Sequence, residues 1–300
     1  VIPAEQNQLM PAFEGGFMGN LLSMNERNTP PGAKPVAPYI GGKRNLAKRL
    51  CRVIDAHDHT TYAEPFVGMG GIFLRRSVAA RSEYINDVSM DVYNLFRVLQ
   101  EHYVAFLDLL RYQITTQQNF ERLVKVDPDT LTDLQRAARF LYLQRVAFGG
   151  RVAGRTFGVS ADRPSRFNIT TLEPDLEALH ARLAPVTVTC MGYADFIRRI
   201  DRKGALFYLD PPYFGSETDY GKDVFSREDF IQIASVLKAI KGDFILSIND
   251  TPEIRALFAW TNVVPVKTTY SLRVNASTTA DELIITSLDP NWVETKMAGK

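Results

Sequence analysis

The stretch from Thr61 to Asp87 constrains the fold most. Thr61 to Phe66 has the composition of a short strand and runs directly into Gly68-Met69-Gly70-Gly71. Gly71 to Ala80 reads as a helix and Glu83 to Asn86 as a second strand, which ends on Asp87. Strand, glycine turn, helix, strand, acidic residue is the plan of a nucleotide-binding α/β unit. Glycines after the first strand let backbone approach a ligand closely, although a tight turn needs them equally. Asp87 stands where such folds place a carboxylate for ribose hydroxyls, and it is also suited to capping the next helix. The glycine spacing is not the dinucleotide fingerprint, and the chain has no Gly-Lys-Ser/Thr for a triphosphate.

The same alternation runs through most of the chain. Asn45 to Ala56 puts Leu46, Ala47, Leu50, Val53 and Ile54 on one helical face, and a long helix is predicted from Met90 to Leu110. Residues 111–184 break the rhythm, with a helix over Asp133–Val146 followed by a Gly/Arg-rich segment, Phe148 to Asn168, that has no period. Strands return at Val186–Cys190 and at Ala205–Leu209, the second nearly all apolar as a buried parallel strand should be. A helix over Ser226–Ile240, a strand over Phe244–Ile248 and a short helix over Pro252–Phe258 follow. Asn262–Thr269 and Glu282–Ser287 read as a closing antiparallel pair. The expected architecture is one twisted α/β sheet with an insertion between its early and late strands. Residues 1–37, rich in Gly, Pro, Asn and Met, read as a flexible arm outside that core.

Composition excludes several classes. With 35 basic against 34 acidic residues the net charge is +1, so total charge gives no sign of a polyanionic partner. Cys51 and Cys190 fit no metal-ligand spacing and read as reduced, structural thiols, so no metal is expected. No apolar run approaches the roughly 20 residues that span a bilayer, and Val1 to Met10 lacks the features of a signal peptide. A soluble cytoplasmic protein without a membrane partner is expected.

Chemistry enters at Asp210-Pro211-Pro212-Tyr213, directly after Leu206-Phe207-Tyr208-Leu209. Open α/β sheets bind ligands at the carboxyl ends of their strands, which places this loop at the site. A ring amino group is a weak nucleophile, because its lone pair is delocalised. Attack on a methyl sulfonium requires its hydrogens to be held by acceptors. Asp210 offers a carboxylate and Pro211 a carbonyl, which Pro212 keeps extended. Tyr213 offers a face on which a base can stack, and the preorganised acceptors stabilise the positive charge that develops on nitrogen. The bland alternative is a strand-end turn, for which Pro-Pro and Asp are common. Pro38-Tyr39-Ile40-Gly41-Gly42-Lys43 by itself is a glycine turn before a helix, and Asp195 shares the ambiguity of Asp87.

Taken in order, Tyr39-Ile40-Gly41-Gly42-Lys43, Glu64-Pro65-Phe66-Val67-Gly68-Met69-Gly70, Asn86-Asp87 and Asp210-Pro211-Pro212-Tyr213 resemble the Dam-like (D12-class) DNA adenine-N6 methyltransferase family. Arg145–Gly150 with Arg166-Phe167-Asn168, and Phe244–Asp250, are softer matches, and the resemblance covers roughly residues 38–287. It implies a Rossmann-like S-adenosylmethionine-dependent methyltransferase sheet, with a mostly helical target-recognition region inserted at 111–184 into a catalytic domain of 38–110 and 185–300. It implies a cofactor pocket lined by Tyr39, Gly41, Gly42, Lys43, Glu64, Pro65, Asp87 and Asp210, floored by Phe66 and Gly68, with Asp195 reading the cofactor's adenine. It further implies methylation of N6 of a flipped-out adenine in double-stranded DNA by a monomer, prokaryotic or phage-encoded. Glu64 stands where Asp is usual and Tyr39 where some members have Trp, and the 148–168 segment departs enough that no target sequence transfers.

The insertion carries its own signal. Residues 140–170 hold Arg145, Arg151, Arg155, Arg163 and Arg166 against Asp162 alone, with Phe148, Phe157 and Phe167 interleaved. Arginines suit phosphates and guanine edges, and an aromatic can fill the gap left by an extracted base. A solvated loop with its arginines paired elsewhere is the alternative. The catalytic loop alone also fits transfer to cytosine N4, an RNA adenine or a protein glutamine, though glutamine enzymes favour Asn first. A DNA-binding protein on a dead scaffold is disfavoured by the intact loop, Lys43 and Asp87.

Overall fold

The computed structural model describes residues 32–41, 43–158, 164–217, 224–273 and 276–299 of the 300. Seven strands form one sheet: β1 Thr61–Glu64, β2 Ser82–Asn86, β3 Thr187–Thr189, β4 Ala205–Leu209, β5 Asp243–Asn249, β6 Asn262–Arg273 and β7 Ala276–Thr286, in the order β3-β2-β1-β4-β5-β7-β6. β3 to β5 pair in parallel, and β7 runs antiparallel between β5 and β6. Period-two alternation sorts the side chains. Ala205, Phe207 and Leu209 pack into one core with Phe244, Leu246 and Ile248, whereas Leu206 and Tyr208 pack into a second core on the other face. All five residues of β4 are therefore buried, and each large apolar side chain removed from water contributes ~1.5–3 kcal/mol.

The helices are α1 Arg44–Ala56, α2 Met90–Glu101, α3 Tyr103–Arg111, α4 Gln117–Lys125, α5 Asp133–Val146, α6 Ile169–Leu183, α7 Tyr193–Ile200, α8 Arg227–Ala239, α9 Pro252–Leu257 and α10 Pro290–Ala298. α7, α8 and α9 cover the face of Phe207, and α1, α2 and α10 cover the opposite face. The insertion is mostly helical, as expected. Its Phe140, Leu143, Leu172, Leu176 and Leu179 join the same buried cluster as Val92, Leu95 and Leu99 of α2, so it has no separate core. Glu83 of β2 ties the two together, accepting from Arg76 at 2.7 Å and pairing with Arg182 of α6 at 2.6 Å.

Three expectations change. The helix expected over Gly71–Ala80 is a single 3₁₀ turn, Phe73–Arg75. Arg76 takes extended backbone so that its guanidinium can stack 3.6 Å over the Tyr62 ring and pair with Glu83, and the Asp55 carboxylate binds the Ser77 N–H at 2.8 Å. The helix expected over Met90–Leu110 is broken at His102 (φ −133°, ψ 29°), which ends α2 and begins α3. The arm boundary also moves. Residues 1–31 lie outside the described residues, but Val36 and Ala37 are buried in the core rather than outside it. The guanidinium of Arg145 binds the Val36 carbonyl, and the Gln144 side chain donates to the Pro38 carbonyl at 3.1 Å.

Candidate active site

From β1 the chain winds outward to β2 and β3, and from β4 it winds the other way to β5. The carboxyl ends of β1 and β4, which are adjacent, therefore open a crevice at the point of reversal, where such sheets bind ligands. The glycine turn and the Asp210 loop both leave the sheet there.

The glycine turn is held from two sides. Asp87, at the end of β2, accepts the Gly68 N–H and the Ser89 N–H, both at 2.9 Å. Burial pushes its carboxyl up to about 6. Asp87 thus organises the turn and the start of α2 together, with Ser89 in the capping position. Asn86 is wholly engaged: its amide donates to the Pro65 and Met191 carbonyls, and its oxygen accepts from Met191 N–H and the Thr189 hydroxyl. It fastens the loops after β1 and β3 to β2. Gly68 has φ +50°, and a Cβ there would come within 3.1 Å of the Tyr39 ring, so glycine is required for that packing. Gly41 also has positive φ (73°), while Gly42 lies outside the described residues.

Lys43 caps α1 and turns its side chain inward. Its Nζ lies 2.5 Å from the Tyr213 hydroxyl, 3.1 Å from Glu282 Oε2 and 3.3 Å from Asp210 Oδ1, and 4.1 Å from the Tyr213 ring centre. The Tyr213 hydroxyl donates to Glu282 Oε1 at 2.6 Å. Ser247 Oγ donates to Asp210 Oδ1 at 3.3 Å and bonds Tyr208 Oη at 2.8 Å. Lys43 and Glu282 have side chains 1% and 0% exposed, while Asp210 keeps 21%. Among the described residues Asp210 Oδ2 has no hydrogen-bond partner, so the cluster leaves one carboxylate oxygen open. Burial raises the Asp210 carboxyl to about 6, opposed by Lys43 and reinforced by Glu282. Pro211 and Pro212 are buried, and Asn249 at the end of β5 clamps Phe214 by accepting its N–H at 2.9 Å and donating to its carbonyl at 3.0 Å.

Glu282 was not legible in the sequence. It opens an apolar run and reads as a strand's solvent-side start; its inward position depends on its register opposite Asn249.

Glu64 ends β1, buried, and accepts the Tyr62 hydroxyl at 2.7 Å. Burial raises its carboxyl from 4.5 to about 8. Between these values the folded chain binds more protons than the unfolded one, so this group's contribution to stability is full below about 4.5 and is lost as pH rises through about 8. Glu64→Gln is therefore expected to flatten the loss of ligand-free thermal stability over this range. Identical pH dependence of melting temperature in both proteins would contradict the assignment.

The Phe66 ring, which follows β1, lies 5.3 Å from Tyr193 and 6.1 Å from Phe225 in an aromatic group. Asp195 lies in the first turn of α7, exposed and paired with Arg198 at 2.5 Å. The insertion's arginines divide. Arg145 spends its donors on the Val36 and Arg166 carbonyls. Arg155 bonds Gln144 Oε1 and the Arg151 carbonyl, both at 3.2 Å, and burial lowers the pKa of both guanidinium groups. Arg151 and Arg166 are exposed, and Arg163 lies outside the described residues. Of the three aromatics, Phe167 is buried and Phe157 packs on the core, whereas Phe148 is 57% exposed. Phe148 sits on a short hairpin closed by the Ala147–Phe157 bridge and pressed against Pro38 by Gly150, where a Cβ would meet backbone at 2.9 Å.

The sheet order, the crevice at its reversal and the Asp210 loop fit one class, an α/β methyltransferase, and the family match makes S-adenosylmethionine its methyl donor. Residues 39–272 match the family model for D12 class N6 adenine-specific DNA methyltransferases, and the chain belongs to that family. Among relatives, the type II methyltransferase M.CviBI of Paramecium bursaria Chlorella virus NC1A is 23% identical over 257 residues, covering 85% of this chain and 98% of its own. The type II methyltransferase M1.LlaDCHI of Lactococcus lactis subsp. cremoris is 26% identical, covering 89% of this chain and 99% of its own. The Retron Ec67 DNA adenine methylase of Escherichia coli is 25% identical, covering 91% and 89%. The chain is thus an adenine-specific DNA methyltransferase. No helix among the described residues is long and apolar enough to cross a membrane.

Proposed function

We propose that methyl transfer to adenine N6 occurs at the open oxygen of Asp210. Asp210 Oδ2 accepts one amino hydrogen and the Pro211 carbonyl the other, which moves the nitrogen toward tetrahedral geometry and aims its lone pair. Tyr213 supplies the face on which the extracted adenine stacks. After transfer the nitrogen carries an extra proton, and Asp210 is the adjacent base that receives it. S-adenosylmethionine, when bound, supplies the electrophilic methyl group. The residues present fit it: a glycine turn whose φ and packing exclude a side chain, the strand-end carboxylate of Asp87 for ribose hydroxyls, and Tyr39 against the turn. Asp195 would reach the cofactor's adenine by leaving Arg198. The observation that carries this proposal is the single unengaged oxygen of Asp210 in an otherwise saturated buried cluster. Incubation with DNA and labelled cofactor, followed by nucleoside mass analysis, should yield N6-methyladenine; N4-methylcytosine would refute the acceptor.

The substrate is double-stranded DNA with the target base extracted, because N6 in a stacked duplex cannot reach a buried site. Of the insertion's three interleaved phenylalanines Phe148 is the exposed one, and we assign it the gap left by the extracted base. We further propose action as a monomer in the cytoplasm, and a prokaryotic or phage origin in keeping with the viral and bacterial relatives. The arginines predict two separate effects. Arg151→Ala should weaken DNA binding and reduce the salt slope by about one. Arg145→Ala should instead destabilise the fold, since the Val36 and Arg166 carbonyls lose their donor at ~1–3 kcal/mol. Salt titrations and melts of both variants separate the effects; an unchanged slope for Arg151→Ala would remove it from the DNA interface.

A further inference from the structure

We infer that Glu282 is a positioning residue for methyl transfer, dividing the charge of Lys43 so that Asp210 keeps an oxygen for the adenine amino group. The inference rests on the proposed acceptor role of Asp210. An ammonium has three protons, and Lys43 has three oxygen partners: the Tyr213 hydroxyl, Glu282 and Asp210, with Glu282 the nearer carboxylate at 3.1 Å against 3.3 Å. Without Glu282 the whole ammonium charge would fall to Asp210. A buried ion pair of that kind holds its carboxylate and weakens it as an acceptor for a neutral amine.

Glu282 also works through the ladder. It stands directly opposite Asn249 across β5 and β7. Asn249 clamps Phe214 and Glu282 holds the hydroxyl of Tyr213, so one rung fixes two consecutive residues of the catalytic loop.

The test compares Glu282→Gln, Glu282→Asp and Lys43→Met in single-turnover methyl transfer at saturating cofactor, with cofactor affinity measured separately by calorimetry. Glu282→Gln should lower kcat about 10- to 100-fold with KM for DNA little changed, the cost of a misplaced reacting group. It should also move the acidic limb of the kcat–pH profile to lower pH. The groups around Asp210 are Lys43, Glu282, Glu64, Tyr208 and Tyr213, and this variant removes one negative charge among them. Glu282→Asp keeps the charge and should leave the limb in place while restoring part of the rate. In a Lys43→Met background Glu282→Gln should cost much less than in the normal enzyme, since no cation remains to be divided and only the Tyr213 contact is disturbed. This pair also decides the matter if Glu282→Gln alone does not fold. Losses that multiply independently, or a Glu282→Gln enzyme within twofold of normal with an unmoved limb, would overturn the inference. An active Asp210→Ala enzyme would overturn the acceptor role itself, whatever Glu282 does.

Discussion

Asp210→Ala is expected to lower single-turnover methyl transfer by about 10²–10³-fold or more, the scale of losing one preorganised electrostatic contact to the transition state. The fold should survive. Lys43 keeps Glu282 as its partner at 3.1 Å, so removing Asp210 leaves one buried cation with one buried anion rather than an unpaired charge. Melting temperature and cofactor affinity report on that survival separately from the rate. The same carboxylate sets a pH limit. With the Asp210 carboxyl raised to about 6, the normal enzyme should lose rate as pH falls through that value, because a protonated carboxyl donates where it must accept. Asp210→Asn keeps the shape and should be nearly as impaired. More than a few per cent of normal activity in the alanine variant would sink the role.

Tyr213→Ala should be the next most damaging change. It removes the stacking face, worth ~1–3 kcal/mol. It also leaves Lys43 and Glu282 without their shared hydroxyl. From sequence, Tyr213→Phe is expected to be mild, since stacking is all that the residue type suggests. The structure changes the expectation: the hydroxyl accepts from Lys43 at 2.5 Å and donates to Glu282 at 2.6 Å. Losing a hydrogen bond between buried groups costs ~1–3 kcal/mol, about 5- to 150-fold if all of it is expressed in the rate. Steady-state kinetics should therefore rank the normal enzyme above Tyr213→Phe and Tyr213→Phe above Tyr213→Ala. A phenylalanine variant with normal kcat would show that the ring alone matters.

What sequence makes legible here is local. An apolar run such as Ala205–Leu209 must be a buried strand, because five consecutive apolar residues have no solvent face. A glycine turn and an acid at consecutive strand ends must sit together once those strands are parallel neighbours. The family's motifs and the Asp210 loop follow from the same local rules. The helix expected over Gly71–Ala80 failed where a distant partner outweighed local propensity: Arg76 leaves helical backbone for Tyr62 and Glu83, a gain invisible at helical spacing. The same blindness covers the five arginines of the insertion, which look alike in sequence. Backbone carbonyls brought from elsewhere in the chain engage Arg145, and Gln144 engages Arg155, while Arg151 stays exposed.

Sequence by itself determined the strand-end chemistry, since Asp210, Pro211, Pro212 and Tyr213 follow one strand and need no tertiary contact to be adjacent. Only the tertiary structure decided which oxygen of Asp210 is open and what keeps it so. Lys43 and Glu282 lie 239 residues apart, and they meet because β7 inserts antiparallel beside β5 and turns Glu282 inward, toward the start of α1 where Lys43 points. Charge pairing in a buried site depends on distances of a few ångströms, and the strand register that sets them is a property of the assembled sheet.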